Sequence, residues 1–580
     1  MKNKRGPIGI SFKTRVILLA IPLGAAVMIL WLKSAAGPYW LGPNFDPAYI
    51  HLVNSLYLLD GVAPIFVDHP GITLQILGAL VIRLLTWPMP SGQIAGHVFD
   101  DPEYYLGAIH AVMLVLYVVS LFWLGQYTYR KTRDLPQALL IQLPAFLFLT
   151  LKSYRSHEYV LPIVANVNSE TLMITFLNVF LGYSVKLLTD DNVRDRRMMA
   201  VVFGIICALG TATKISFLPL ILIPLFCFRR WVSKALLLVS FAVAWVAVTS
   251  PILPRYGKVW SWLTTILTHK GFHGSGGVGL LDLQNLGGEI RWLLSEHSLL
   301  FILLAGAGGW LLHWRLVQKR ETMGQTFMVL EVAALALFCQ ILMVLKQPAP
   351  HYLAPGYGLT GILLVLLYTT AGRRVRNAQK FAVAFIVIFV AATTAWSCHY
   401  RQQLWAANRD ILEFSRKVYT QHRGCAIFGY YRSSSPMTAL DFGDDCFGFK
   451  HYAGLMQAKF PDALFYNRWT RDFHAFDHSV SLPGTLDTYP CTLLYGSPMD
   501  FPGYIKTELV ETGPDANLYR VTAYTGREAA MFYVAAKVAQ ADGDYHRAMA
   551  FALKAKELGF RPEEIDPVIE ELGRSLWRTP

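Results

Sequence analysis

The side chains best able to do chemistry lie in a few short stretches, each beside a long apolar run. In NFDPAYIHLVNSLYLLDGVAPIFVDHPGITLQ, residues 44–75, Asp46, His51, Asp60, Asp68 and His69 stand among aromatic and aliphatic residues. Asp46 lies between Phe45 and Pro47, where an amphipathic helix would begin. Asp is a favoured N-cap and Pro suits a first helical turn, so the ordinary use of this carboxylate is capping. A carboxylate at that place can also take a proton from a hydroxyl, and the two roles are compatible. VDHPG offers Asp68 and His69, either as a turn or as polar groups aimed at a phosphate or a metal. In NSETLM, Glu170 stands at the mouth of an apolar run, where an acid suits the helix dipole and Asn168 or Ser169 can cap. His157 and Glu158 are nearby alternatives with no motif behind them. Lys214, in GTATKISFLP, falls within apolar sequence; a lysine there either snorkels to the interface or meets an anion. KQPAPHYLAPGYG, residues 346–358, adds Lys346, His351 and Tyr352 as phosphate contacts, or is an ordinary proline-rich loop. Asp46, His69 and Glu170 are also types that could hold a divalent metal, and the sequence leaves metal-dependent and metal-free chemistry open.

The elements that must position these groups are membrane helices. Of 580 residues 54% are hydrophobic and only 16% charged, with mean hydropathy +0.37, which marks a polytopic membrane protein. The net charge of +13 does not indicate nucleic-acid binding, because the Lys/Arg clusters sit between apolar runs. Spans are expected near 14–35, 104–126, 135–152, 169–188, 198–214, 215–229, 234–253, 298–314, 325–345, 355–371 and 380–397, about eleven helices. The first reads as a signal anchor. The pair at 198–229 is short and interrupted by TATKISFLP. With these spans, MKNKRG…KTR, YRKTR, DDNVRDRR, RRW, HWRLVQKR and RRVRNAQK all fall on one side, which the positive-inside pattern makes cytoplasmic. HPGITLQILGALVIRLLTW must then lie along the outer surface, since one more span would turn every later basic loop outward. DPAYIHLVNSLYLLDG is a second surface helix, with Ile50, Val53, Leu56 and Tyr57 at helical spacing. A second outer loop, 254–297, has a Gly-rich centre without a nucleotide fingerprint, and suits a mobile cover over a site.

From 399 the long apolar runs stop, and residues 399–580 read as one outer domain. CAIFGYY and CTLLYG are short buried strands, and the end is helical. REAAMFYVAAKVAQADGDYHRAMAFALKAKELGFRP resembles a single tetratricopeptide hairpin, with Gly543, Tyr545, Ala548, Ala555 and Pro562 near the expected places. Of seven cysteines, Cys207, Cys227 and Cys339 fall in apolar runs. Cys425, Cys446 and Cys491 lie in the outer domain, where an oxidising compartment permits pairing; Cys425–Cys446 is the nearer pair in sequence. No Cys/His group has zinc-finger spacing.

Together these stretches resemble the GT-C class of membrane glycosyltransferases, which use polyprenyl-phosphate sugars. FDPAYIHLVNSLYLLDG…FVDHPGITLQILGALVIRLL is similar to the first outer loop of protein O-mannosyltransferases. Asp46 matches that family's catalytic Asp, His69–Pro70 the start of its HPP segment, and Glu170 the acid that starts its fourth helix. Gly71 replaces the second Pro of HPP, and Pro47 replaces a second acid. Lys214 and HYLAP resemble features of the bacterial lipid A aminoarabinose transferases.

The resemblance implies a GT-C transmembrane domain over 1–398, with its first outer loop at 35–103, and a C-terminal mixed α/β and helical domain over 399–580. It implies inverting transfer of a hexosyl or pentosyl group from a polyprenyl phosphate to a hydroxyl on a glycan, glycolipid or protein, outside the cytoplasmic membrane. Asp46 would be the base, with Glu170 a second catalytic acid. Lys214, His351 and Tyr352 would meet the donor phosphate, with Asp68 and His69 near them. The rival class is a lipid-linked sugar flippase or transporter, although such proteins place ionisable groups near the midplane and show repeats. A membrane acyltransferase or a receptor-like binding protein is a third reading.

Overall fold

The computed structural model describes residues 10–576 apart from 42–47, 69–70, 153–160, 190–196, 272–273, 275, 318–323, 372–376, 431–434, 446–448, 468–471, 497–504, 525–526 and 542–543. By their contacts the described residues form two units. One is helical and runs to Ala406, with Asp445 and Phe449; the other holds Trp40, Ala407–Asp444 and the chain from Lys450.

The helical unit carries α1 (Phe12–Ala36), α2 (Ala48–Leu59), α3 (Ile72–Leu85), α4 (Ser91–Asp100), α5 (Pro102–Thr132), α6 (Leu135–Leu140), α7 (Pro144–Leu147), α8 (Ser169–Thr189) and α9 (Arg197–Thr213). It continues with α10 (Leu222–Cys227), α11 (Trp231–Thr249), α12 (Tyr256–Thr268), α13 (Leu286–Glu296), α14 (Ser298–Val317), α15 (Gly324–Lys346), α16 (Ala354–Ala371) and α17 (Ala378–Gln421), whose last turns belong to the second unit. Among the described residues, seven segments are long and apolar enough to cross a membrane: Phe12–Ala36, Pro102–Thr132, Ser169–Thr189, Trp231–Thr268, Met328–Lys346, Pro350–Thr370 and Ala378–Gln421. They fall on seven of the eleven expected spans. The expected spans at 135–152 and 215–229 are instead chains of short helices and 3₁₀ turns. Pro144, Pro219 and Pro224 explain the breaks, because each removes a backbone donor.

Burial separates central from peripheral helices. The span at Pro350–Thr370 is 83% buried within protein and that at Ser169–Thr189 72%, against 17% for the one starting at Trp231. α16 can be central because it lacks side chains where neighbours come closest. A Cβ at Gly358 would run into Leu177 of α8, and one at Gly361 would lie 2.8 Å from the Ile141 carbonyl oxygen. Phe180 of α8 packs edge-on against Phe203 of α9, with ring centroids 5.5 Å apart. Buried Gln142 donates to the carbonyls of Leu18 on α1 and Leu121 on α5, at 3.1 and 2.9 Å, so its amide joins two helices without an orphan donor.

α2 and α3 are the two expected loop helices, and α4 follows them. α3 has 14 residues; at 1.5 Å per residue it is about 21 Å long, short of the roughly 30 Å of a bilayer core. The turn between α2 and α3 is held from inside. Asn54 Oδ1 accepts from the backbone N–H groups of Ile65 and Phe66 at 2.7 and 3.0 Å, and Gln75 Nε2 donates to the Phe66 carbonyl at 2.8 Å.

The second unit contains β1 (Ala426–Tyr430), β2 (Leu464–Asn467), β3 (Asp472–His474), β4 (Thr492–Gly496), β5 (Ile505–Thr512) and β6 (Asn517–Tyr524), in the sheet order β3-β2-β1-β4-β6-β5. β1 pairs in parallel with β2 and β4, and the outer pairings are antiparallel. The apolar runs read as strands from the sequence are thus its central parallel strands. They also settle the cysteine pairing, which sequence alone leaves open. Ala426 registers with Thr492 across the β1–β4 ladder, which brings the preceding Cys425 and Cys491 together in a disulfide with Cα atoms 4.7 Å apart. Sequence nearness favours Cys446 instead, which lies outside the described residues; a parallel pair joins residues far apart in sequence. α18 (Pro436–Asp445), α19 (Ala453–Lys459) and α20 (Leu482–Thr488) connect the strands, and α21 (Arg527–Ala541), α22 (Tyr545–Glu557) and α23 (Pro562–Leu576) close the chain. Ala548, Ala552 and Ala555 of α22 are fully buried, so the hairpin packs closely through small side chains.

Two outcomes follow from this packing. Gly361→Ala should destabilise the helical unit by about 1–3 kcal/mol, the usual scale for overpacking, read as a lower melting temperature in detergent. Mass mapping of unreduced peptides should recover Cys425 joined to Cys491; a Cys425–Cys446 peptide would contradict the strand register.

Candidate functional site

Three chain ends converge in the helical unit. The first is the start of α8. Asn168 caps it, accepting from Thr171 N–H at 3.0 Å, and its own amide donates to the Ile163 carbonyl at 2.9 Å. This sets Glu170 in the first turn with its side chain inward. The second is the end of α9, where Lys214 takes an extended conformation before a 3₁₀ turn at Ile215–Ile221. Gly210 makes that turn possible, because a Cβ there would lie 2.5 Å from the Phe217 ring. The third is the 3₁₀ turn Pro350–Leu353 that leads into α16.

The ends meet through side chains. Lys214 Nζ donates to Glu170 Oε1 in a short ion pair, with only 3% and 6% of the two side chains exposed. His351 Nε2 lies 3.6 Å from the same oxygen. Lys214 Nζ also stands over the Tyr352 ring, 5.1 Å from its centroid, a distance at which the ring quadrupole attracts a cation. Ser169 Oγ donates to Glu170 Oε2 at 3.4 Å. An acid, a lysine, a histidine and an aromatic face are therefore gathered away from water on the two most buried spans and the turn after α9. The loop helices reach the same place, since Thr73 of α3 donates to Thr213, the neighbour of Lys214, at 2.7 Å.

His51 of α2 is buried, with its ring edge-on to Phe66 and centroids 5.5 Å apart. Burial pulls its pKa down to about 4; Glu170 opposes the shift and Lys214 adds to it. Glu103 forms a second junction. Its carboxylate accepts from the Tyr39 backbone N–H at 2.8 Å and from the Tyr49 hydroxyl at 2.9 Å. One acid on α5 thus binds the chain after α1 and the start of α2. Burial and then the Glu103 charge push the Tyr39 and Tyr49 hydroxyls well above the usual tyrosine range, so both stay protonated donors.

Of the residues singled out from sequence, Glu170, Lys214, His351 and Tyr352 come together. Asp68 is half-buried just ahead of α3. Asp46 and His69 lie outside the described residues, as do His157 and Glu158. Lys346 is turned to another use and donates to the His269 carbonyl. The roles of His51 and Glu103 were not read from the sequence. Asp101–Pro102–Glu103 is legible as a helix start, and Asp101 does cap α5, but nothing local foretells contacts with Tyr39 and Tyr49. Among the metal candidates, Glu170 is engaged by Lys214, so an ion there would have to displace the lysine. In the second unit, Asp441 of α18 pairs with buried His474 of β3 at 3.2 Å.

No family model and no curated protein sequence matches the chain. Among solved structures it is similar to ArnT from Cupriavidus metallidurans, whose crystal structure holds undecaprenyl phosphate, with a TM-score of 0.46 and 9% identity over 88% of this chain and 98% of that one. A likeness of that degree assigns no residue, ligand or reaction here.

The buried histidine gives a pH signature. His51 titrates near 4 in the folded chain, against about 6.5 when unfolded. Between those values the unfolded chain binds the extra proton, so this contribution lowers stability as pH falls from 6.5 towards 4. His297 is held down to about 4 by burial as well and adds in the same direction. The melting temperature in detergent should drop between pH 7 and pH 5, and less steeply in His51→Asn.

Proposed function

We propose that this chain is an integral membrane glycosyltransferase that moves a sugar from a polyprenyl phosphate to an acceptor hydroxyl at the outer face of the cytoplasmic membrane. The observation that carries this reading is the buried cluster of Lys214, Glu170, His351 and Tyr352 where the two most buried spans begin. Ionisable groups at such depth are costly and mark sites of function. Their types suit a lipid-borne phosphate. The resemblance of the first outer loop to that of polyprenyl-phosphate-dependent enzymes supports the donor class, and the positive-inside pattern supports the outer face.

In the reaction the acceptor oxygen attacks the anomeric carbon as the bond from that carbon to the phosphate oxygen breaks. The hydroxyl proton passes to Asp46, and polyprenyl phosphate leaves with one more negative charge than the donor had. A single displacement inverts the anomeric centre. Lys214 meets the charge that develops on the departing phosphate, with His351 and Tyr352 beside it. Glu170 holds Lys214 in place before the donor arrives. The acceptor is a glycan, a glycolipid or a protein. A flippase would move the same lipid and leave it intact.

Purified protein incubated with radiolabelled polyprenyl-phosphate sugars should release free polyprenyl phosphate; transport into vesicles without release would point to the flippase. Asp46→Asn should keep the helix cap, because Asn caps about as well as Asp, and should lower turnover about 100-fold or more. Lys214→Met alone should destabilise the chain by about 3–5 kcal/mol, because Glu170 is left buried without its partner. Lys214→Met with Glu170→Gln removes both charges, so the fold should survive while donor use is lost. A double variant that folds and turns over normally would remove the cluster from the reaction.

A further inference from the structure

His51 is one of the buried polar groups of this region with an unpartnered atom among the described residues; Gln75 Oε1 and Thr211 Oγ1 are others. Asn54, Gln75, Asn168 and Thr73 each have a hydrogen-bond partner that fixes some part of the loop or a helix end. His51 Nδ1 is buried with no hydrogen-bond partner among the described residues. The ring is 3% exposed, is held edge-on by Phe66, and lies close enough to Glu170 and Lys214 to feel both charges. A core histidine that only filled space would satisfy its ring nitrogens, since an orphaned buried donor or acceptor is destabilising and rare in native folds.

The missing partner can be narrowed by chemistry. The ring is neutral near pH 7, so it brings no charge to a phosphate. A neutral imidazole nitrogen is a donor in one tautomer and an acceptor in the other. A phosphate oxygen satisfies only the donor form. A hydroxyl satisfies either, because it can both donate and accept. The hydroxyl-bearing part of a polyprenyl-phosphate sugar is the sugar itself. Its anomeric carbon is one oxygen away from the phosphorus, so a sugar hydroxyl necessarily comes close to whatever holds the phosphate.

We propose that His51 is a sugar-recognition residue whose Nδ1 hydrogen-bonds a hydroxyl of the transferred sugar. The inference rests on the glycosyltransferase reading above and deepens it: Lys214 meets the phosphate that every such donor shares, and His51 the part that distinguishes one donor from another. A site built to hydrogen-bond a hydroxyl discriminates strongly against a ligand that lacks it.

The test uses the full chain in nanodiscs. It compares binding of undecaprenyl phosphate with binding of undecaprenyl phosphate bearing mannose, glucose or galactose. In the wild-type protein at least one sugar-bearing lipid should bind more tightly than the bare one. His51→Leu should weaken that lipid about tenfold, the scale of one lost hydrogen bond, and leave undecaprenyl phosphate unchanged, which also shows that the variant is folded. His51→Asn, whose amide falls where Nδ1 stood, should restore most of the difference. His51→Gln, whose amide reaches the Nε2 position, should not. Equal weakening of both lipids, weakening of neither, or a wild type to which no sugar adds affinity would overturn the assignment to His51. A wild type that binds none of these lipids would overturn the glycosyltransferase reading itself.

Discussion

The buried ion pair between Lys214 and Glu170 depends on how the helical unit is packed. Taking each charge out of water costs several kcal/mol even after relaxation, and the attraction between them offsets this only in good geometry. The two residues are 44 positions apart and sit at the ends of different helices. The pair therefore exists only if the start of α8 and the end of α9 are held together. Asn168 fixes the first end by capping. Gly210 lets Phe217 fold back at the second. Gly358 and Gly361 let α16 pack tightly enough to bring His351 and Tyr352 alongside. Removing any of these positions leaves the charges to separate or one of them to neutralise.

The loop after α1 meets a different constraint. Its turn is buried at residues 64–67, and a buried backbone must find partners for its N–H and carbonyl groups. Among the described residues no helix or sheet ladder supplies them there. Asn54 and Gln75 do so with side-chain amides, and Glu103 does so for Tyr39. These bonds are directional, so satisfying them also fixes where His51 and Phe66 sit. Backbone satisfaction and site geometry are thus one requirement here. The Thr73–Thr213 bond then ties the loop to the residue beside Lys214.

Much of this was legible in the sequence because it is periodic or compositional. The long apolar runs marked the central spans, and charge placement kept the run after residue 70 from being counted as another. The depth of Lys214 and the helix-start position of Glu170 singled both out. Their pairing was not legible, since nothing local links residues 170, 214 and 351. In the fold Lys214 and Glu170 are each other's partner. The same limit hid the Cys425–Cys491 bridge, which follows from strands adjacent only in three dimensions. Glu103 escaped notice because its helix-start position has a sufficient local explanation. Proline explains the remaining differences: the stretches at 135–152 and 215–229 are apolar enough for spans but cannot keep an unbroken hydrogen-bond ladder.

The pairing bears on how such a site would handle an anion. A lone buried lysine would hold a phosphate firmly and release it slowly. Under the proposed reading the leaving lipid carries more negative charge than the donor, so a lone lysine would favour the product most of all. A lysine already neutralised by Glu170 offers an exchange rather than an addition. Glu170 has His351 3.6 Å from the oxygen that Lys214 occupies, and Lys214 has the Tyr352 ring beneath it. Each partner thus has a second contact while the first is given up. The strength of the new pair is reduced by that of the old one, which limits the hold on product while leaving the cation in place for charge that appears only as the bond breaks. Binding spent in that way favours the transition state over both ground states.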